Sequence, residues 1–385
     1  MLAKKEKIIS LVGNAVFSLP LPEQFDKELS SEEAKKLLHT AKLHDLAHLI
    51  ASALKKNAIR LPVEESQEFQ KQLFLSVYRT EKLRHEFKRL SALFEDEKIS
   101  FIPLKGTVLR PHYPEAWMRT SCDIDLLLSE RDLERASKVV VDRGGYKDRG
   151  QWKGERSFFS PDGTHLELHF YNEEDKEKSI VFREIWDHVS PSAENRFCMQ
   201  TEWEFFYAHH LMHMAKHFSH GGCGIRPFVD LFLMRKKIQM DSEKKNAYLE
   251  KFGLTVFAGA CEHLASVWFD DAQHTDLTEK MQEYLLGAGI FGSIENQVAL
   301  EKSGKSKLLS GIFAHIWLPY GVIKYQFPVL LRHKWLLPIC QVIRWFKLLF
   351  GGGLRRSMLR LRKNRNISDE KVERVSCLME ELRLD

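Results

Sequence analysis

In the first quarter of the chain apolar positions recur at helical spacing. Ile8, Leu11, Val12, Ala15 and Val16 share one face and predict an amphipathic first helix. Lys4, Lys5 and Lys7 ahead of that run superficially resemble a secretory leader, but Asn14 interrupts it and no small-residue cleavage site follows. Ser30 and Glu33 form a capping box that opens helical structure through about Leu54. Leu37, Leu38 and Ala41 mark one stripe, and Leu43, Leu46, Ala47, Ile50 and Leu54 a second on another face, so the segment reads as two short helices broken near Leu43. A longer helix is expected from Val63 to Glu97, with Phe69, Leu73, Val77, Leu83, Phe87 and Leu90 at helical spacing. These helices should cap the module that follows.

The period then shortens to two. Ile99 to Lys105 reads as a buried strand ending at Gly106-Thr107, before a short helical stretch that Pro114 must interrupt. Cys122 to Leu128 alternates, placing Asp123 and Asp125 on one side and Ile124, Leu126 and Leu128 in a core on the other. Ser129, with Asp132 three residues on, starts a helix whose buried side is Leu133, Ala136, Val139 and Val140, and Gly144-Gly145 ends it. Tyr146-Lys147-Asp148 begins another strand. Ser157 to Ser160, followed by Pro161-Asp162-Gly163, predicts a hairpin into Thr164 to Phe170, where Leu166, Leu168 and Phe170 face one way and His165, Glu167 and His169 the other. The fold class is therefore α+β: an N-terminal helical region (1–95), a small mixed-sheet domain (96–190), a helical C-terminal domain (191–350) and a basic tail with a terminal helix (351–385).

At 385 residues the chain buries a substantial core without staples, and 11% aromatic with 29% charged residues excludes a disordered polymer. Six scattered cysteines without a C-x-x-C pair favour a reducing cytoplasm. A formal charge of +5 does not call for nucleic acid, and no specific nucleic-acid partner is expected. The local exception is Leu354 to Asn366, which holds Arg355, Arg356, Arg360, Arg362, Lys363 and Arg365 and no acid. Ahead of it, Trp335 to Phe350 is apolar and aromatic but broken by Pro338, Arg344 and Lys347, well short of the ~20 apolar residues of a membrane span. Residues 335–365 are instead expected to make a peripheral membrane or protein contact.

Chemistry enters with the acids. Two carboxylates sharing one patch repel unless a divalent cation lies between them and uses both as oxygen ligands, so Asp123 and Asp125 suit Mg2+ (or Mn2+), with Glu167 as a third acid on a second strand. Gly106 at the strand-to-helix turn would let a phosphate approach backbone N–H groups. A separate possibility is a Zn2+ or Ni2+ site at His209, His213 and His217, spaced i, i+4 and i+8, although no acid completes an H-E-x-x-H pattern there.

The Gly-Thr turn, the Asp-x-Asp strand and the lone acid on a later strand together resemble the nucleotidyltransferase superfamily typified by DNA polymerase β. More closely, Leu104-Lys105-Gly106, Arg119, Asp123-Ile124-Asp125-Leu126, Gly145-Tyr146 and Leu166-Glu167-Leu168-His169 look like the uncharacterised nucleotidyltransferase family of bacterial proteins. Sixteen positions separate Thr107 from Asp123, longer than is usual in the superfamily. The resemblance implies transfer of a nucleoside monophosphate from a metal-bound nucleoside triphosphate, with ATP foremost, to an unknown hydroxyl acceptor by a two-metal mechanism. It makes Asp123, Asp125 and Glu167 the catalytic and metal-holding residues, and Lys105, Gly106, Thr107 and Arg119 nucleotide contacts. It also matches a helix with His213 and His217, followed by Arg226 and Asp230, to a helical lobe closing over the nucleotide. Two other readings stand beside it: a non-catalytic nucleotide-binding or interaction protein that retains the fold, and a His-based metal phosphohydrolase.

Overall fold

A computed structural model describes residues 4–152, 154–170, 184–290, 292–303, 329–350 and 367–384, together with 317–318, 320, 323–324 and 327. The expected first helix is α1 (Lys4–Phe17), and Ile8, Leu11 and Val12 on its inner face are buried. The capping box forms as read: the Ser30 side chain accepts from the Glu33 N–H, and Glu33 accepts in return from the Ser30 N–H. It opens α2 (Ser31–Leu43), which is followed by α3 (Ala47–Lys56). Asp45, at φ 54°, makes the break, and the Leu46 N–H returns to the Ala41 carbonyl at 2.8 Å.

Two apolar positions depart from the expected stripes. Leu43 is 44% exposed, because it closes α2 and the turn at Asp45 takes it out of phase with α3. Val77, in α4 (Val63–Asp96), is 38% exposed, because the inward face of α4 is partly polar. Ser76, Thr80 and Glu86 are buried on it; Ser76 donates to the Trp117 carbonyl at 2.6 Å, and Glu86 is held by Arg89 and the Tyr146 hydroxyl.

The sheet is mixed, in the order β1-β2-β5-β4-β3. Its strands are β1 (Phe101–Pro103), β2 (Asp123–Leu128), β3 (Lys147–Trp152), β4 (Glu155–Phe159) and β5 (His165–His169). Only β2 and β5 run parallel; the other neighbours are antiparallel. Between β1 and β2 lies α5 (Gly106–Leu109), and α6 (Glu130–Asp142) follows β2.

The alternation of β2 separates two cores. Ile124, Leu126 and Leu128 pack with Phe94, Phe101, Leu133, Val140, Phe158 and Leu166, under α4 and α6. Leu127, on the face of the two aspartates, joins Ile102, Leu104 and the larger core built by the N-terminal helices and the C-terminal helical lobe. The acids therefore lie on the sheet face that packs toward the helical core.

An unexpected two-stranded ribbon, β6 (Val189–Pro191) with β7 (Met199–Thr201), leads into the lobe, and the Phe101 N–H donates to the Phe197 carbonyl to tie it to the sheet edge. Two helices of the lobe bear on the site: α7 (Trp203–Phe218) and α8 (Arg226–Lys237). Further along, Leu337–Phe350 is helical, with Ile339, Val342, Ile343 and Phe346 exposed; the basic run after it lies outside the described residues. No helix among the described residues is long and apolar enough to cross a membrane.

Candidate active site

The site starts where β1 ends. The Leu104 N–H donates to the Asp125 carbonyl at 3.1 Å, closing the ladder, and the chain then reverses into α5. Gly106 stands at this turn, yet the left-handed residue is Lys105, at φ 50° and ψ −119°. A Cβ on Gly106 would meet Arg119 and Ser121 at an ordinary 3.5 Å. A non-glycine residue so placed costs about 1–3 kcal/mol and persists only where its surroundings hold it. Here Lys105 Nζ is anchored on Asp125 Oδ1 at 2.7 Å. Burial works to lower the pKa of Lys105, but Asp125, and then Asp123 and Glu167, raise it above the usual lysine range.

Parallel pairing of β2 with β5 sets Asp125 opposite Glu167 and Asp123 opposite His165. Asp125 is 4% exposed and lies between two donors, Lys105 and His169, whose Nε2–H reaches its Oδ1 at 2.8 Å. Burial opposes its ionisation, but those two neighbours pull its pKa well below the carboxylate range. Asp123 is less buried than Asp125; burial and then the charge of Asp125 push its pKa up. One acid is thus held as an anion, while burial and that anion work against ionisation of its neighbour. Two ligand sets result, Asp123 with His165 and Glu167, and Asp125 with Glu167 and His169, each with donor atoms within 4.8 Å of one another. The carboxylates fit a divalent cation in number and chemistry.

His165 and His169 were not singled out for this site by the sequence reading. Their strand alternation put them on the face of Glu167, but their approach to the aspartates depends on a parallel register that no local signal specifies.

The two arginines expected at the nucleotide are each paired with a carboxylate. Arg119 is 6% exposed, and its Nε donates to Asp230 Oδ1 and Oδ2 at 2.7 and 3.0 Å. Asp230, fully buried, also accepts from the Tyr113 hydroxyl at 2.7 Å. The long connection from Thr107 to Asp123 supplies Tyr113 and Arg119 to this cluster, which joins the sheet module to α8. Arg226, at the start of α8, donates to Asp45 Oδ2 at 2.9 Å and to the Thr120 carbonyl at 3.1 Å. Beside it, Lys42, Asp45, His48, Gln72, Ser76, Arg79 and Thr120 line a polar cavity of about 140 Å³. Thr107 is half-buried in the first turn of α5.

On α7, His209 and His210 are buried, and His213 lies edge-on to His217 with ring centroids 4.4 Å apart. Burial first, and then the charge of Lys105, hold His213 well below the usual histidine range. Among the described residues, His209, His213 and His217 do not form a metal-holding set. Helical rise explains this: residues eight apart are separated by about 12 Å along the axis, too far to share one ion.

The profile of the uncharacterised nucleotidyltransferase family matches residues 30–270, and the chain belongs to that family. A crystal structure of an antigenic nucleotidyltransferase-like protein from Paracoccidioides brasiliensis is similar over 48% of this chain and 91% of its own, at 10% identity and a TM-score of 0.31. No curated protein matched the chain.

Proposed function

We propose that this member of the family moves a nucleoside monophosphate from a divalent-cation-bound nucleoside triphosphate, ATP foremost, to a hydroxyl acceptor. The observation that carries the reading is the register of β2 on β5, which gathers Asp123, Asp125 and Glu167 on one face of the sheet. Nucleotidyl transfer by the family implies a nucleoside triphosphate as substrate. Asp123, Asp125 and Glu167 would hold Mg2+ or Mn2+, which when bound lends its charge to the phosphates and to the attacking oxygen.

The chain's own groups divide the remaining work. Lys105 contributes a cation held beside the acids, and His169 fixes the orientation of Asp125. Glu167 takes the proton of the acceptor hydroxyl as its oxygen forms a bond to the α-phosphorus. The bond from the α-phosphorus to its bridging oxygen breaks, and pyrophosphate leaves. Gly106 and Thr107 supply backbone and hydroxyl contacts to phosphate. His213, His217 and Arg226 approach the nucleotide from the helical lobe, while Arg119 and Asp230 position that lobe. Absence of a three-histidine set among the described residues leaves the phosphohydrolase reading without support.

The test follows label from α-phosphate-labelled ATP into a sugar, a small alcohol, a protein hydroxyl and a nucleic-acid end, with Mg2+ or Mn2+. Asp125→Asn and Glu167→Gln should each lower transfer by orders of magnitude, at tenfold per ~1.4 kcal/mol. Glu167→Gln should leave triphosphate affinity nearly unchanged, and Arg226→Ala should weaken triphosphate binding more than monophosphate binding. Undiminished transfer in either acid variant would remove that acid from the reaction. Metal-dependent ATP binding with no transfer to any acceptor would favour the non-catalytic reading.

A further inference from the structure

We propose that His165 is a metal ligand, so that the outer edge of the site, Asp123 with His165 and Glu167, is a mixed nitrogen and oxygen position that prefers Mn2+ to Mg2+. The inference rests on reading the β2–β5 face as a cation site and adds to it the ligand and the ion selected. Ligand atoms of the three residues lie within 4.8 Å of one another, and all three side chains are half-buried.

Two imidazoles stand beside these acids, and their surroundings differ. His169 turns Nε2 to Asp125 at 2.8 Å and to Glu167 at 3.5 Å, so this nitrogen serves as a donor to carboxylates. His165 is built the other way round. Its Nε2 is paired with Ser157 Oγ at 2.7 Å, and its ring stacks on Phe159 with centroids 4.7 Å apart and planes 21° from parallel. Its Nδ1 faces Glu167 Oε1 at 3.7 Å, beyond hydrogen-bond length.

In the tautomer that donates Nε2–H to Ser157, which the proposal assigns, the Nδ1 lone pair points toward the carboxylates, as a ligating histidine needs. Metal-binding histidines are ordinarily fixed in this way by an outer partner on the second ring nitrogen. Sheet register builds the support: Phe159 lies opposite His165, and Ser157 opposite Glu167, across β4 and β5. Mg2+ demands oxygen ligands and sheds water reluctantly, whereas Mn2+ stands in the first-row series whose affinity for mixed nitrogen and oxygen sites rises from it toward Cu2+. An imidazole in this position therefore gains more for Mn2+ than for Mg2+.

The test uses the full chain with metal alone. Free Mn2+ is titrated by electron paramagnetic resonance, Mg2+ by competition, and bound Mn2+ is examined by pulsed spectroscopy for nitrogen-14 coupling. Wild type should bind Mn2+ more tightly than Mg2+ and show imidazole coupling. His165→Ala should lose that coupling and weaken Mn2+ by about tenfold or more, with a smaller change for Mg2+, and Ser157→Ala should weaken Mn2+ by about tenfold while keeping the coupling. His165→Gln replaces the alanine variant if circular dichroism shows that the latter does not fold. Bound Mn2+ without nitrogen coupling, or coupling that survives loss of His165 and disappears in His169→Gln, would overturn the assignment while sparing the cation site. Failure of wild type to bind either ion would overturn the cation site and this inference with it.

Discussion

Asp230→Asn asks how much of the junction between sheet module and helical lobe depends on one buried ion pair. The Asp230 carboxylate is fully buried, takes Arg119 Nε on both oxygens and accepts from the Tyr113 hydroxyl. Burial opposes the charge on Arg119, and Asp230 more than offsets it. The amide keeps the shape of the carboxylate but removes its charge, and it turns one acceptor oxygen into an NH2 group facing a donor. Arg119 then keeps its Nη1 bond to the Thr120 carbonyl, which cannot balance a buried guanidinium. Removing one partner of such a pair costs about 3–5 kcal/mol. That is a large share of the 5–15 kcal/mol, roughly, by which native proteins are stable. In urea the unfolding midpoint should fall with little change in slope, because the surface exposed on unfolding is nearly the same. A triple variant with Arg119→Met, Asp230→Leu and Tyr113→Phe removes both charges and the orphaned hydroxyl, and should recover most of the loss. A loss below about 1 kcal/mol in Asp230→Asn would refute a junction held by this pair, since buried pairs broken on one side cost several times more. A triple variant no more stable than the single one would refute the charge argument.

Two further outcomes are expected. Burial holds both His44 and His48 neutral with pKa values pulled down to about 4, while an unfolded histidine titrates near ~6.5, so the unfolded chain takes up protons between those values and the folded one does not. Stability should fall as pH drops from about 6.5 to about 4, by about 3 kcal/mol for each histidine at about 1.4 kcal/mol per pH unit. His48→Gln should remove about half of that dependence in denaturant titrations, and an unaltered pH profile would refute it. At the other end of the chain, the exposed Ile339, Val342, Ile343 and Phe346 are expected to meet a membrane or protein surface, and the membrane case is testable. The 385-residue chain should co-sediment with phosphatidylserine vesicles at low salt, and Ile343→Asp with Phe346→Asp should abolish this; binding that survives the double change would exclude the helix from the contact.

Local physics made part of this protein legible in advance. Alternation along a strand has a period of two whatever the strand pairs with, so Asp123 and Asp125 had to share a face and oppose Ile124, Leu126 and Leu128. A capping box is complete within four residues, so the start of α2 was visible at Ser30. The apolar pattern erred where the buried face was not apolar: Ser76 turns inward to the Trp117 carbonyl and Glu86 to Arg89 and Tyr146, and Val77 is left outside. Other features depended on contacts between distant residues. Glu167 and the two histidines became neighbours of the aspartates only when β5 paired parallel to β2, since register is a property of two strands and of neither alone. Lys105 took the strained conformation expected of a glycine because its ammonium finds Asp125, twenty positions away, once the sheet has formed. Arg119 and Arg226 read alike in a linear chain, but the carboxylates that hold them lie 111 and 181 positions distant. A guanidinium carries the same charge wherever it sits; which carboxylate it faces, and whether water screens the pair, is settled only when the helical lobe closes on the sheet.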